Sequence, residues 1–428
     1  GAIRADPRVR VHNLDGRLFL KTTERAFDVI IVNLPDPHTA QLNRFYTLEF
    51  FREAVRKLNP AGILSFRLTA AETYISPELA AFLRCIHKTL RAAFPVVAAM
   101  PGEAVHFFAA KREGMLAAGP QEMVARLRAR RLQASYVREY YIPFRMMPDR
   151  MLDLEAQIRP QPATPLNRDF LPIAYYFDVA LWSTRFHRGY RRLFESIAQV
   201  EFGRLALAAG VAVFALAAAA RWLPAKERRV RAAAGFCVAA MGFTLIALEI
   251  LLLLSFQAVY GYVYHQLAIV TAAFMVGLAL GSGLALRASG RPGAGRSALR
   301  WLAGLQVLAA LWPLLLCGLL ASLAGVQSPA GLFLVSQLLF PALALLCGLL
   351  GGYQFPIASR VFFGSQQEGS PGTLYALDLA GACLGAVALS ACLVPVFGFL
   401  RTALLLGVVN LAPAALVVSV SQAGALRE

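Results

Sequence analysis

The sequence predicts an α/β domain built on a mostly parallel sheet, followed by an all-α polytopic membrane domain of about seven helices. Three observations predict this. Short β-branched runs alternate with helical patterns through roughly the first quarter of the chain, as βαβ units require. Beyond residue 201 the chain becomes a succession of apolar stretches, and 58% of all residues are hydrophobic, too many for a water-soluble protein of 428 residues. The 25 acidic residues mark the change of regime, since only Glu227, Glu249, Glu368, Asp378 and Glu428 lie beyond Glu201. The organisation read from these features is an α/β region at 1–115, a helical and aromatic connecting region at 116–201, and a transmembrane region at 202–428.

In the α/β region the candidate strands are "VRVHN" (9 to 13), "FDVIIVN" (27 to 33), "GILSFRL" (62 to 68), "PVVAAMP" (95 to 101) and "VHFFAAK" (105 to 111). Helical patterns, "TLEFFREAVRKLN" and "ELAAFLRCIHKTLRAAF", separate several of them. The near-continuous apolar character of "DVIIV" predicts a central strand covered on both faces. Ligands of open parallel sheets bind beyond the carboxyl ends of the strands. Two polar clusters stand there, "NLDGR" (13 to 17) and "NLPDP" (33 to 37). Asp15 and Asp36 in these clusters also suit turns and helix caps, so both a binding and a purely local role are open from pattern alone.

The stretch "DPRVRVHNLDGRLFL…FDVIIVNLPDP…LNRFYTLEFFREAVRKLNPAGILSFRL" resembles, collinearly from about Asp6 to Lys111, the C-terminal half of the catalytic domain of spermidine synthases, the polyamine aminopropyltransferases. The resemblance implies a Rossmann-like, methyltransferase-type fold. It also implies transfer of an aminopropyl group from decarboxylated S-adenosylmethionine, a co-substrate rather than a permanently bound cofactor, to putrescine or another amine. It assigns Asp15 and Gly16 to the nucleoside, the acid contacting the adenine amino group, and Asp36 to a substrate ammonium. Asn33 falls where the family keeps its general base. An amide accepts a hydrogen bond but has no useful basicity, so proton removal from the attacking amine is expected to be weakened or lost. Arg67 replaces a neutral polar residue of the family, and a cation there opposes a dicationic substrate. "MPGEAVHFF" joins two strands more tightly than the family's substrate-covering loop. The chain opens "GAIRADPRVRV" without an initiator Met and reads as cut from something longer, without the family's glycine-rich loop and earlier strands.

After Lys111, "QEMVARLRARRL" predicts an amphipathic helix, and the Pro-rich "RPQPATPLNRDFLPIAYYFDVALW" leads towards the membrane. Its "NRDF" and "YYFD" elements resemble membrane-fused spermidine-synthase-like proteins, and they suit equally a packed linker with aromatic interface anchors. Seven apolar segments follow, near 202–223, 232–256, 263–286, 299–323, 330–350, 373–397 and 400–421. Small residues four apart in "GLALG", "GLLGG" and "GACLG" permit close helix packing. Glu249 and Asp378 are the carboxylates within these spans, where each needs a partner or a polar cavity, and they form the candidate membrane polar site.

The net charge of +17 follows from arginine-rich loops flanking apolar segments, and no basic patch with interleaved aromatics argues for nucleic acid. The six cysteines form no CxxC pair or His/Cys cluster, so neither a disulfide framework nor a metal site is expected. The partner expected is the lipid bilayer of a bacterial cell. Seven crossings and the positive-inside rule favour an external α/β domain, whereas a nucleotide-using enzyme wants the cytosol, and the side stays open. Two functions are carried forward: a membrane-bound aminopropyl transferase impaired by Asn33, and a catalytically inactive domain that regulates a membrane transporter or sensor.

Overall fold

The computed structural model describes residues 6–71, 74–131, 137–183, 200–261, 264–288, 294–364 and 370–425. Its first part comprises α1 (Gly16–Thr22), β1 (Phe27–Val32), α2 (Ala40–Asn43), α3 (Leu48–Lys57), β2 (Leu58–Thr69), α4 (Pro77–Arg91), β3 (Val96–Met100) and β4 (Ala104–Ala110). Local chemistry sets the helix starts. Thr47 and Ser76 cap α3 and α4 by accepting from Phe50 N and Leu79 N, and Pro77 occupies the first turn of α4, where its missing N–H costs nothing.

The sheet order is β1-β2-β4-β3. β1 and β2 pair in parallel, whereas β4 pairs antiparallel with both β2 and β3, so three strands run one way with a reversed strand inserted. The expectation of a mostly parallel sheet therefore holds for strand direction but not for pairing. Pro101, Gly102 and Glu103 are too few to carry a crossover, so β3 and β4 must form a hairpin. One sheet face packs on α3 and α4. There Phe51 and Phe66 stack at 5.7 Å, and Phe66 and Phe107 at 5.2 Å.

Two sequence expectations are corrected here. Residues 9–13 form no strand and lie exposed, because no strand edge stands beside them to satisfy their backbone groups. β1 is an edge strand rather than a central one. Val29 is 54% and Ile31 71% exposed, while Ile30 and Val32 turn to the core.

The connecting region supplies α5 (Pro120–Ala129), α6 (Tyr141–Arg145), α7 (Pro148–Ile158) and α8 (Ile173–Ser183). The membrane region supplies α9 (Phe202–Arg221), α10 (Lys226–Tyr260), α11 (Tyr264–Ala288), α12 (Ala294–Leu323) and α13 (Pro329–Phe363). A last helical stretch consists of α14 (Pro371–Ala388), the π-helical turns Leu389–Phe397 and α15 (Gly398–Ala425). Among the described residues, six helices are long and apolar enough to cross a membrane, the last running unbroken for 51 residues, Gly372–Gln422. The sequence separates that stretch into two spans, and its contacts explain why both descriptions apply. Gly242 of α10 lies against Asp378, and Thr244 accepts a hydrogen bond from Asn410 Nδ2. A straight helix would hold residues 378 and 410 roughly 48 Å apart, so the stretch folds back on itself. It does so at Gly398, where φ is +74°.

The small-residue motifs pack backbone on backbone. A Cβ added at Gly277 or Gly281 would overlap the Leu345 or Leu349 carbonyl, and one at Gly348 or Gly352 the Phe274 or Leu278 carbonyl.

The two regions meet at a buried ionic network. Arg17, fully buried, donates to Glu53 through Nε and Nη2 (both 2.8 Å) and to Asp169 through Nη1 and Nη2 (both 2.8 Å). It also reaches the Ala258 carbonyl at 3.2 Å. Arg44, equally buried, donates to Asp15 at 2.7 Å and to the Ala258 and Val259 carbonyls at 3.0 and 3.1 Å. These carbonyls belong to the last turn of α10, which has no further helical N–H to accept from. The "NRDF" linker closes the joint. Thr47 Oγ1 donates to Asp169, Asn167 bonds Asn43 and the Tyr46 carbonyl, and the Phe170 carbonyl accepts from Phe399 N.

Replacing one partner of this network strands the others. Asp169→Leu is expected to destabilise the docked chain by about 3–5 kcal/mol, read as a large fall in the thermal unfolding midpoint in detergent. An unchanged midpoint would remove the network from its structural role. Burial opposes ionisation of Asp169, yet Arg17 and the hydrogen bonds from Arg17 and Thr47 outweigh it and leave its carboxyl below the usual range. With the folded pKa depressed, its stabilisation is full above the unfolded value of about 3.9 and is lost as pH falls through the folded one.

Candidate functional site

The polar groups after β1 and β2 gather at the carboxyl ends of these two parallel strands. Asp36 accepts from Thr69 N, the last residue of β2, at 3.0 Å, which fixes its carboxylate between the strand ends. The loop itself is held from beneath, because the buried Tyr46 hydroxyl donates to the Pro35 carbonyl at 2.9 Å. Burial, reinforced by the negative charge of Asp36, raises the Tyr46 pKa, so the phenol remains a donor at physiological pH.

Asn33 is exposed and lies on the wall of a groove of about 490 Å³ that runs along the free edge of β1. Gly16, Phe19, Phe45 and Phe50 form other parts of that wall, so Gly16 and Asn33 line one groove. Asp15 faces elsewhere. Its Oδ1 accepts from Arg17 N and Leu18 N at 3.1 and 3.0 Å, capping α1, and its Oδ2 pairs with Arg44. The local role weighed for Asp15 is thus realised in this structure, and Asp36 is tied to backbone in the same manner while keeping part of its surface open.

Glu249 and Asp378 sit apart from this groove, within the membrane region. Glu249 lies on α10 near Thr271 of α11. Asp378 lies against Gly242, seven residues before Glu249 on α10, which separates the two acids by roughly 10 Å along that helix axis.

The rim of the strand ends is cationic. Arg67 is exposed on the same sheet face as Thr69, and opposite it on β4 stands His106. Burial first, then the charges of Arg145 and Arg67, hold the His106 pKa below its ordinary value. The strand ends therefore present one fixed acid, Asp36, and the Arg67 cation noted in the sequence. Sequence reasoning missed Tyr46, Arg17, Arg44 and the role of Asp169. The available signal was charge placed inside otherwise apolar runs, as in "LNRDFLPIAYYF".

Comparison with known proteins bears on the α/β region as a segment. Residues 2–109 match the family model described as Spermine/spermidine synthase domain, one quarter of the chain. Similar proteins include a polyamine aminopropyltransferase from Oceanobacillus iheyensis, 42% identical over 65 residues, which are 15% of this chain and 13% of the relative. Another from Nitrosomonas europaea is 37% identical over 92 residues, 22% of this chain and 26% of the relative. Polyamine aminopropyltransferase 2 from Aquifex aeolicus is 35% identical over 97 residues, 22% of this chain and 19% of the relative. This chain thus spans between 13 and 26% of the length of these relatives.

The cationic rim is directly measurable. Titration of isotope-labelled histidines by NMR is expected to place His106 below about 6.5, the ordinary value, and Arg145→Gln or Arg67→Gln to move it upward. Because the folded form gives up this proton more readily than the unfolded chain, its effect is to reduce stability as pH falls below about 6.5, levelling off once the folded site is itself protonated. A His106 pKa unmoved by both substitutions would contradict the cationic rim.

Proposed function

We propose that residues 2–109 form part of an aminopropyl-transfer site in a membrane-bound chain, with decarboxylated S-adenosylmethionine as donor and an amine as acceptor. The supporting observation is the placement of Asp36, fixed by Thr69 N at the carboxyl ends of two parallel strands in the segment that matches the synthase family. In this reading the nucleoside enters the groove beside β1, with Gly16 and Asn33 on its wall, and Asp36 holds the ammonium of the acceptor.

The chemistry is displacement at a carbon bonded to a sulfonium. The acceptor nitrogen must be neutral to attack, the C–S bond breaks with its electron pair going to sulfur, and the proton left on the new ammonium passes to a base or to water. Asn33 can orient the amine N–H through its amide oxygen but cannot hold the proton. The acid-base contribution of a positioned carboxylate, typically about 10²–10⁴-fold, is absent at that position. Asp15 contributes through structure, setting α1 and its first turn against Arg44.

A second reading has its own support. The element carrying Gly16 begins at Asp15, whose other oxygen meets Arg44, and Arg44 grips the end of α10. Occupancy of the groove would therefore bias a membrane helix, as a ligand-sensing domain does when it regulates a transporter or sensor.

Both readings are tested by expressing the complete gene product and measuring aminopropyl transfer to radiolabelled diamine, beside Asn33→Asp. The expected result is slow transfer by the parent protein and a gain of about 100-fold in the variant, the lower end of the general-base range. No transfer by either protein would reject the transferase reading and leave the regulatory one.

A further inference from the structure

The membrane region holds a second polar cavity, of about 210 Å³, between α10, α11, α13 and α14. Its polar lining is Asp378, Gln354, Ser282 and Tyr375, and the remaining wall is apolar, including Leu245 and Phe355. The hydrogen bonds already made decide what kind of ligand this lining accepts. Gln354 donates through Nε2 to the Cys237 carbonyl at 3.1 Å, an assignment forced by chemistry because a carbonyl only accepts. Its Oε1 is left buried and without a partner, on a residue 1% exposed. Ser282 spends its proton on the Gly352 carbonyl at 3.0 Å, leaving lone pairs. Asp378 lies over Gly242, where an added Cβ would stand 2.7 Å from its Oδ1. Among the described residues no Lys or Arg forms an ion pair with Asp378.

The Ser282 proton and one N–H of Gln354 are thus spent elsewhere, and acceptor atoms remain beside a carboxylate. A lining of this kind is complementary to a cation that donates hydrogen bonds. The apolar remainder narrows the class. A hard metal ion such as Ca²⁺ or Mg²⁺ takes about six to eight oxygens, more than this wall presents, whereas an alkylammonium places its head on the oxygens and its hydrocarbon against Leu245 and Phe355. The rings of Phe355 and Tyr375 add faces suited to an organic cation.

We propose that this cavity is a binding site for a small primary alkylammonium, with Asp378 as counter-ion and Gln354 Oε1 as hydrogen-bond acceptor. Asp378 lies seven residues after Pro371, roughly 10 Å into the helix, about one third of the hydrocarbon thickness. The same side carries Arg228, Arg229, Arg231 and Arg360, at the end of α10 away from Tyr260 and the α/β domain. The site is therefore reached from the face opposite that domain and is independent of the aminopropyl-transfer reading.

The test titrates n-butylammonium chloride, and separately sodium chloride, into the full chain in lipid nanodiscs by calorimetry. Saturable heat with n-butylammonium is expected, with affinity falling at least about tenfold in Asp378→Asn, the loss typical of a charge-assisted contact, and several-fold in Gln354→Met. The titrations are made in the Asp36→Asn background, so that an ammonium held at Asp36 contributes no heat. Gln306 Nε2 also reaches the Cys237 carbonyl, so Gln354→Met keeps that group served and decides the matter should Asp378→Asn fail to assemble. Absence of saturable binding in that background, affinity undiminished in both Asp378→Asn and Gln354→Met, or tighter binding of sodium than of n-butylammonium would each overturn the proposal.

Discussion

The organisation of this protein depends on two buried arginines that close the end of a membrane helix. The last carbonyls of α10 have no helical N–H to accept, and a helix carboxyl end carries partial negative charge. Arg17 and Arg44 answer both needs at Ala258 and Val259. A fully buried guanidinium is itself costly unless its donors are satisfied. Glu53, Asp169 and Asp15 complete that satisfaction, so the carboxylates, the guanidinia and the helix end are mutually required. Removing any one member leaves charge or backbone unpaired in the interior.

This requirement orders the rest of the junction. Asp169 is delivered by the linker, which cannot detach without exposing Arg17. The same linker presents the Phe170 carbonyl to Phe399 N and the Phe170 ring to Phe399 at 5.0 Å. That contact falls beside Gly398, where the final helical stretch reverses. A Cβ there would stand 2.7 Å from the Phe170 carbonyl, so glycine is needed both for its positive φ and for the close approach. The α/β domain thereby touches the membrane region at the end of α10 and at the last hairpin, with the adjacent linker residues Asp169 and Phe170 serving the two joints.

Much of this was legible in the sequence and some was not, for definite reasons. Hydropathy and the scarcity of acids after residue 201 pointed to long apolar helices, the first of which is Phe202–Arg221, because lipid and water select composition strongly. Alternation located β1, β2, β3 and β4. It failed for residues 9–13, since periodicity reports a strand's faces but not whether a partner edge exists. It also failed to show that β1 is an edge, because "DVIIV" reads alike in the middle of a sheet and at its margin. Asp15 was found as a notable acid, yet its use as a cap and as the partner of Arg44 depends on a residue 29 positions away. The network of Arg17, Arg44 and Asp169 joins segments up to 241 residues apart, and no local pattern encodes such a meeting.

The two halves of the candidate site thus differ in how freely they can change. Asp15 is committed at both oxygens to the joint with the membrane region, so a substitution there disturbs architecture whatever ligand the groove accepts. Asn33 supports no hydrogen bond that the fold requires and lies exposed at the groove. Its identity is therefore not imposed by packing: a carboxylate of nearly the same shape would fit at the same place, close to the Asp36 loop. An amide removes one negative charge from the strand ends and leaves the Arg67 cation less opposed. The electrostatic balance at the strand ends is accordingly that of a single fixed acid, Asp36, facing the Arg67 cation.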